Sequence, residues 1–261
     1  MNTPGRNQGT GASMSRLHLG RLPMILMYHS VADVGDDPSH LSVAPSLFAE
    51  QMATLQRLGL RGVSISSLVD AMRARRARRL VGITFDDGYL NVLESAVPEL
   101  KRRGFTATVF VIPGRLGGTN EWAKGPTMPL LSANQVSELA NAGMEVASHS
   151  MTHVRLAGLT ASQLQAEVRE SRARLGELVG APVRGFAYPY GSMDAAARRA
   201  VEDAGYDYAC AVETPMADFG IMALPRVYVG ERDRAARMIA KRLLYKGYIA
   251  YEAIQTQRSS S

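Results

Sequence analysis

The stretch Leu80-Val81-Gly82-Ile83-Thr84-Phe85-Asp86-Asp87-Gly88 joins an apolar, β-branched run directly to two adjacent carboxylates and a glycine. The run reads as a buried strand over Leu80–Phe85. Asp-Gly after such a run is also a common turn signal, so the segment alone is compatible with an ordinary turn. Its neighbours decide the fold. Upstream, Val63–Ile65 reads as a short strand and Ser67–Arg78 as a helix. Downstream, Val92–Arg103 reads as a helix stopped by Gly104, and Thr106–Ile112 as a strand stopped by Pro113-Gly114.

The same alternation extends in both directions. Leu22–Val31 is a strand candidate, and Ser46–Leu58 is helical, with Leu47, Phe48, Met52, Leu55 and Leu58 at helical spacing. Towards the C-terminus the helices are Ala133–Ala142, Thr160–Val179, Met193–Ala204 and Asp233–Leu244. The strands are Met144–Ser148, Gly185–Tyr188, Tyr208–Val212 and Leu224–Val229. Thr160 suits an N-cap and Gly180 a helix stop. Such alternation predicts an α/β fold with a parallel sheet, open or closed into a barrel. The Gly- and Pro-bearing stretch Arg115–Pro129 is a long loop, a kind of segment that often carries function.

In parallel α/β folds the ligand site lies at the C-terminal edge of the strands. Four polar constellations fall there: His29, Asp86-Asp87, His149 and Tyr190. Ser148-His149-Ser150-Met151-Thr152-His153 sets two histidines four apart, a spacing that lets both reach one metal. Asp87, His149 and His153 together make a set of two histidines and one carboxylate with open positions. That set suits zinc hydrolysis and equally non-haem iron oxygenation. The spare carboxylate Asp86 favours hydrolysis, because it can take the proton of a water beside the metal. Phe186-Ala187-Tyr188-Pro189-Tyr190-Gly191 is either an aromatic strand end or a wall carrying a backbone N–H aimed at an oxyanion. His18 and His40 fall in a tail and a loop and take no role.

Together these segments resemble the polysaccharide deacetylase family (NodB-homology, carbohydrate esterase family four), over roughly Met24 to Val229. The T-F-D-D-G and H-S-x-x-H segments in that order carry the resemblance. It implies a distorted or incomplete (β/α) barrel. It also implies Asp86 as catalytic base, Asp87, His149 and His153 as metal ligands, and Tyr190 as the oxyanion donor. Zinc is the usual ion, with cobalt, nickel or iron as alternatives. Two positions depart from the common family form. Ala187 stands where an arginine is usual, and Leu224-Pro225-Arg226-Val227 lacks the usual acid histidine. Both departures, with Leu26-Met27-Tyr28-His29, are similar to the branch that contains the poly-N-acetylglucosamine deacetylases. That likeness assigns the acid to His29 and makes Arg226 a candidate to orient Asp86, with Arg184 as the second candidate. The implied substrate is an N-acetylated glycan. A deformylase or other amide hydrolase acting on a lipid-linked sugar is the alternative, and a degenerate carbohydrate-binding module a more distant one.

Composition bounds the rest. The 261 residues include 46% hydrophobic and 21% charged side chains, enough for a core without disulfide or metal staples. One cysteine, Cys210, excludes an internal disulfide and reads as a small buried residue. The formal charge of +6 is spread over amphipathic helices, and no nucleic-acid-binding motif accompanies it. The segment Arg237–Tyr245 reads as an outer helix covering the sheet, with contact to an anionic membrane as the alternative. Residues 1–20 read as a disordered arm without a signal-peptide core, 21–250 as one deacetylase domain, and 251–261 as a tail. The expected location is therefore cytoplasmic or peripheral to a membrane.

Overall fold

The computed structural model describes residues 22–212 and 220–258. The chain enters as β1 (Ile25–Tyr28), α1 (Pro45–Arg57), β2 (Arg61–Val63), α2 (Ile65–Arg73) and β3 (Leu80–Phe85). It continues as α3 (Val97–Arg102), β4 (Thr108–Val111), α4 (Ala133–Asn141), β5 (Glu145–Ser148), α5 (Ala161–Gln165) and α6 (Ser171–Val179). It closes with β6 (Gly185–Ala187), α7 (Ala195–Asp203), β7 (Tyr208–Ala211), β8 (Leu224–Pro225), β9 (Val227–Tyr228) and α8 (Ala235–Arg258).

All strand pairings between these elements are parallel, in the order β8-β7-β6-β5-β4-β3-β1-β9, with β2 against the first half of β3. The two ends of that order, β8 and β9, are separated in the chain by Arg226 alone. The single strand expected over Leu224–Val229 therefore changes partner midway. Leu224 pairs with Cys210 of β7, and Val227 pairs with Leu26 of β1. This change of partner brings the sheet round into a nearly closed barrel, and it puts Arg226 at the seam.

Side chains alternate across the barrel wall, as the strand period of two requires. One set forms an inner core: Ile25, Phe110, Ala147, Ala187, Tyr208, Cys210 and Leu224, joined by Val63, Ile65, Leu68 and Val69. The last three belong to α2, which plugs the end where the strands begin. Its first backbone N–H groups are held there, by Thr108 at the start of β4 (Ile65 N, 2.8 Å) and by Glu145 at the start of β5 (Ser66 N, 3.0 Å). Gly82 makes room for this plug, because a Cβ there would sit 2.6 Å from Ile65 Cδ1. With one end filled, only the C-terminal edge of the barrel is open for chemistry. The alternate residues, including Leu26, Phe85, Val109 and Phe186, form the outer core against Phe48, Leu100, Leu139 and Leu175 of the helices.

Several elements depart from the expected boundaries for local reasons. The helix expected over Val92–Arg103 opens with a π turn, Val92–Ala96. Pro98 has no N–H to give the Glu94 carbonyl, so the ladder slips and Val97 N bonds Val92 O. The helix expected over Thr160–Val179 carries a second π turn, Ala166–Glu170. Thr160 caps it and Gly180 ends it in the left-handed region at φ 65°. The last helix runs on to Arg258, so residues 251–258, expected as tail, continue α8. The expected arm at residues 1–20 and the last three serines lie outside the described residues. Cys210 is buried, and burial pushes its thiol up to about 12.

Candidate active site

Each polar constellation lies just past a strand end. His29 follows β1, Asp86 and Asp87 follow β3, His149 follows β5, and Tyr190 lies three residues past β6. Arg226 reaches the same place from the seam between β8 and β9. Among the described residues six non-glycine residues adopt positive φ, and three of them are Asp87 (69°), His153 (67°) and Tyr190 (56°). A fourth, Ser150 (65°), lies between the two histidines. Such backbone is costly for a residue with a Cβ and persists where the surroundings enforce it, often at a functional site. Gly88 follows Asp87 at φ 73°, so two successive left-handed residues turn the carboxylates inward.

Asp87, His149 and His153 are buried and converge. Asp87 Oδ1 lies 3.5 Å from His149 Nε2 and 3.3 Å from His153 Nε2, and one ligand atom from each residue falls within 4.8 Å of the others. Asp87 Oδ1 has no hydrogen-bond partner although it is buried. An orphaned carboxylate oxygen facing two ring nitrogens fits a divalent cation. The other nitrogen of His149, Nδ1, contacts the Ala187 carbonyl at 2.9 Å. A carbonyl only accepts, so Nδ1 carries the proton and Nε2 presents its lone pair to the set. Burial holds the His149 ring down at about 4, which keeps it neutral and free to ligate at physiological pH. Burial opposes the charge on Asp87, but His153 and the other nearby rings outweigh it and hold the carboxyl well below the ordinary range.

Asp86 lies beside this set without belonging to it. Its Oδ2 is 3.9 Å from His149 Nε2 and 4.0 Å from His29 Nε2. Arg226 grips it through two bonds, NH1 to Oδ1 at 2.5 Å and NH2 to Oδ2 at 2.8 Å. Arg226 NH1 also meets Thr84 Oγ1 at 3.3 Å, and its guanidinium lies 5.4 Å above the Phe110 ring. Burial would raise the Asp86 carboxyl, but Arg226, then His149 and His29, hold it below its usual range. Arg184, the second candidate for this role, is elsewhere. It bonds Asp70 (2.9 Å) and Asp207 (2.6 Å) at the plugged end of the barrel and does not reach Asp86.

Two contributors are absent from the sequence reading. Trp122 packs its ring 4.6 Å from that of His153, which also meets the Tyr190 ring at 4.6 Å. It is the chain's one tryptophan and lies in the long loop already singled out, so a signal existed. Glu167 holds the histidine loop from the π turn. Its carboxylate accepts from Thr152 N (2.9 Å) and Thr152 Oγ1 (2.5 Å), and its carbonyl accepts from Met151 N (2.9 Å). Nothing in a helical glutamate fourteen residues past His153 announces that contact.

The polysaccharide deacetylase family model matches residues 73–209, from α2 to β7. The chain belongs to that family. The deacetylase is 31% identical to the polysaccharide deacetylase homologue YxkH of Bacillus subtilis over 213 residues, 80% of this chain and 71% of YxkH. It is 28% identical to a poly-beta-1,6-N-acetyl-D-glucosamine N-deacetylase of Staphylococcus epidermidis, over 58% of this chain and 55% of that protein. Among solved structures, IcaB from Ammonifex degensii superposes with a TM-score of 0.70 at 27% identity, covering 83% of this chain and 95% of IcaB. The deacetylase is thus a hydrolase of amide (N-acetyl) bonds on the family's (β/α) barrel.

Proposed function

We propose that this deacetylase removes acetyl groups from N-acetylated glucosamine units of a glycan, within the poly-N-acetylglucosamine branch of its family. The observation that carries the reading is the division of labour between adjacent carboxylates. Asp87 lies between two histidines, while Asp86 beside it is gripped by Arg226. A binding module has no use for a spare buried base. Kinship with poly-N-acetylglucosamine deacetylases in sequence and in fold supports the choice of sugar.

Asp87, His149 and His153 would hold a divalent cation, with zinc the expected ion. Such an ion acts as a Lewis acid and lowers the pKa of water, which is the activation that amide hydrolysis needs at neutral pH. Asp86, kept ionised by Arg226, takes the proton of the attacking water. Arg226 orients that carboxylate through its two parallel bonds. The backbone N–H of Tyr190 donates to the oxyanion that forms at the amide carbon. His29, whose Nε2 lies 4.0 Å from Asp86 Oδ2, gives its proton to the departing amine. The products are acetate and a glucosamine unit.

The test is acetate release from fragments of poly-β-1,6-N-acetylglucosamine, chitooligosaccharides and lipid-linked N-acetyl sugars, each with and without chelator. The reading expects chelator-sensitive release that is fastest on the β-1,6-linked fragments. Formate release from N-formyl sugars, with no acetate from any of the panel, would replace it with the deformylase alternative.

A further inference from the structure

The helix α8 buries one side against the barrel and leaves a second apolar side uncovered. Met238 is buried and Tyr245 half-buried, with the Tyr245 hydroxyl donating to Pro23 O at 3.1 Å, where the chain leads into β1. On the outward side, Ala236, Ile239, Ala240, Leu243, Leu244 and Gly247 are all exposed. Leu243 is 64% exposed, Leu244 72% and Ile239 39%, three of the seven exposed large hydrophobic residues among those described. Their spacing of three and four places them in one stripe along the helix. The sequence continues that spacing with Gly247, Ala250 and Ile254.

The charges of this helix are one-sided. Residues 235–258 contain Arg237, Lys241, Arg242, Lys246 and Arg258 against Glu252 alone. At one hundred degrees per residue, Arg237 borders the stripe on one side and Arg242 lies towards the other. Lys241 is already engaged with Asp233 at 2.7 Å. An apolar stripe with basic flanks is the pattern of a helix lying in a lipid interface, its leucines among the acyl chains and its arginines at the headgroup phosphates. A helix that only covered a barrel would not need the outward leucines.

We propose that the outward face of α8 docks this deacetylase on an anionic lipid surface, held by Ile239, Leu243 and Leu244 and by the flanking basic residues. No helix of the described residues is long and apolar enough to cross a membrane. Inward, α8 packs against α1 and reaches Pro23 through Tyr245, so the docking face is the side turned away from these contacts.

The experiment is co-sedimentation of the full chain with vesicles of phosphatidylcholine alone and of phosphatidylcholine mixed with phosphatidylglycerol, alongside light scattering without lipid. Binding to the mixed vesicles is expected, weakened by salt. The double variant Leu243→Ser, Leu244→Ser should partition about tenfold more weakly. The double variant Arg237→Gln, Arg242→Gln should lose the preference for anionic lipid. Acetate release from a soluble oligosaccharide should be unchanged in both, which reports that they are folded. Failure of the wild type to sediment with the mixed vesicles overturns the proposal, as does equal binding by the serine variant. A wild-type dimer that becomes monomeric in the serine variant, without lipid binding, would assign the face to a second copy of the chain.

Discussion

Replacing Arg226 by methionine tests the centre of the site, because it removes the charge and keeps much of the bulk. Arg226 and Asp86 are 1% and 4% exposed, and two bonds of 2.5 and 2.8 Å join them. Breaking such a buried pair strands one charge, at a cost of about 3–5 kcal/mol. For a chain of this size that is a fall in Tm of roughly 6–20 °C at neutral pH. The sign of the pH dependence follows from Asp86. In the wild type its folded carboxyl lies below its unfolded value, so its contribution to stability is complete at neutral pH and fades only as the pH falls through the folded value. Without Arg226 burial meets weaker opposition, and the carboxyl rises. The destabilisation of Arg226→Met should then be greatest at neutral pH and shrink on acidification, when a proton neutralises the stranded charge. For the same reason the acid limb of kcat/KM should move to higher pH. Adding Asp86→Asn should return part of the lost stability. Calorimetry across pH and a pH–rate profile with acetate detection measure these effects. A loss under about 1 kcal/mol with an unmoved acid limb would refute the assigned pairing.

Asp86→Asn alone should abolish acetate release while the protein still binds zinc, read by titration of the chelator-stripped protein. Normal turnover would take the base role from Asp86. His29→Ala should lower kcat by more than roughly tenfold, within the range for acid–base groups; an unchanged rate would send the acid role elsewhere. Glu167→Gln should weaken zinc binding about 10–100-fold, because the loop that carries His153 hangs on that carboxylate. Calorimetric titration of the stripped variant checks this, and wild-type affinity would show that the loop holds its shape without Glu167.

What the chain's sequence determined by itself is local. Strand and helix alternation, the caps at Thr160 and Gly180, the candidate ligands Asp87, His149 and His153 and the separate carboxylate Asp86 are matters of period and of residue type. Each motif can be seen in a short window of the chain, and the family resemblance in the T-F-D-D-G and H-S-x-x-H segments rests on those windows and their order. The sequence put Arg226 ahead of Arg184 as the partner of Asp86, and the tertiary structure gives the physical reason. The split of the last strand carries Arg226 over the seam into the inner layer, whereas Arg184 is spent on Asp70 and Asp207 at the plugged end. Tertiary structure alone decided the roles of Glu167 and Trp122, whose contacts to the histidine loop cross from other segments, and of α8, whose two apolar sides were indistinguishable until one was packed on the barrel. Short-range pattern fixes what a residue can do; only the closure of the sheet and the packing of the helices fix what stands opposite it.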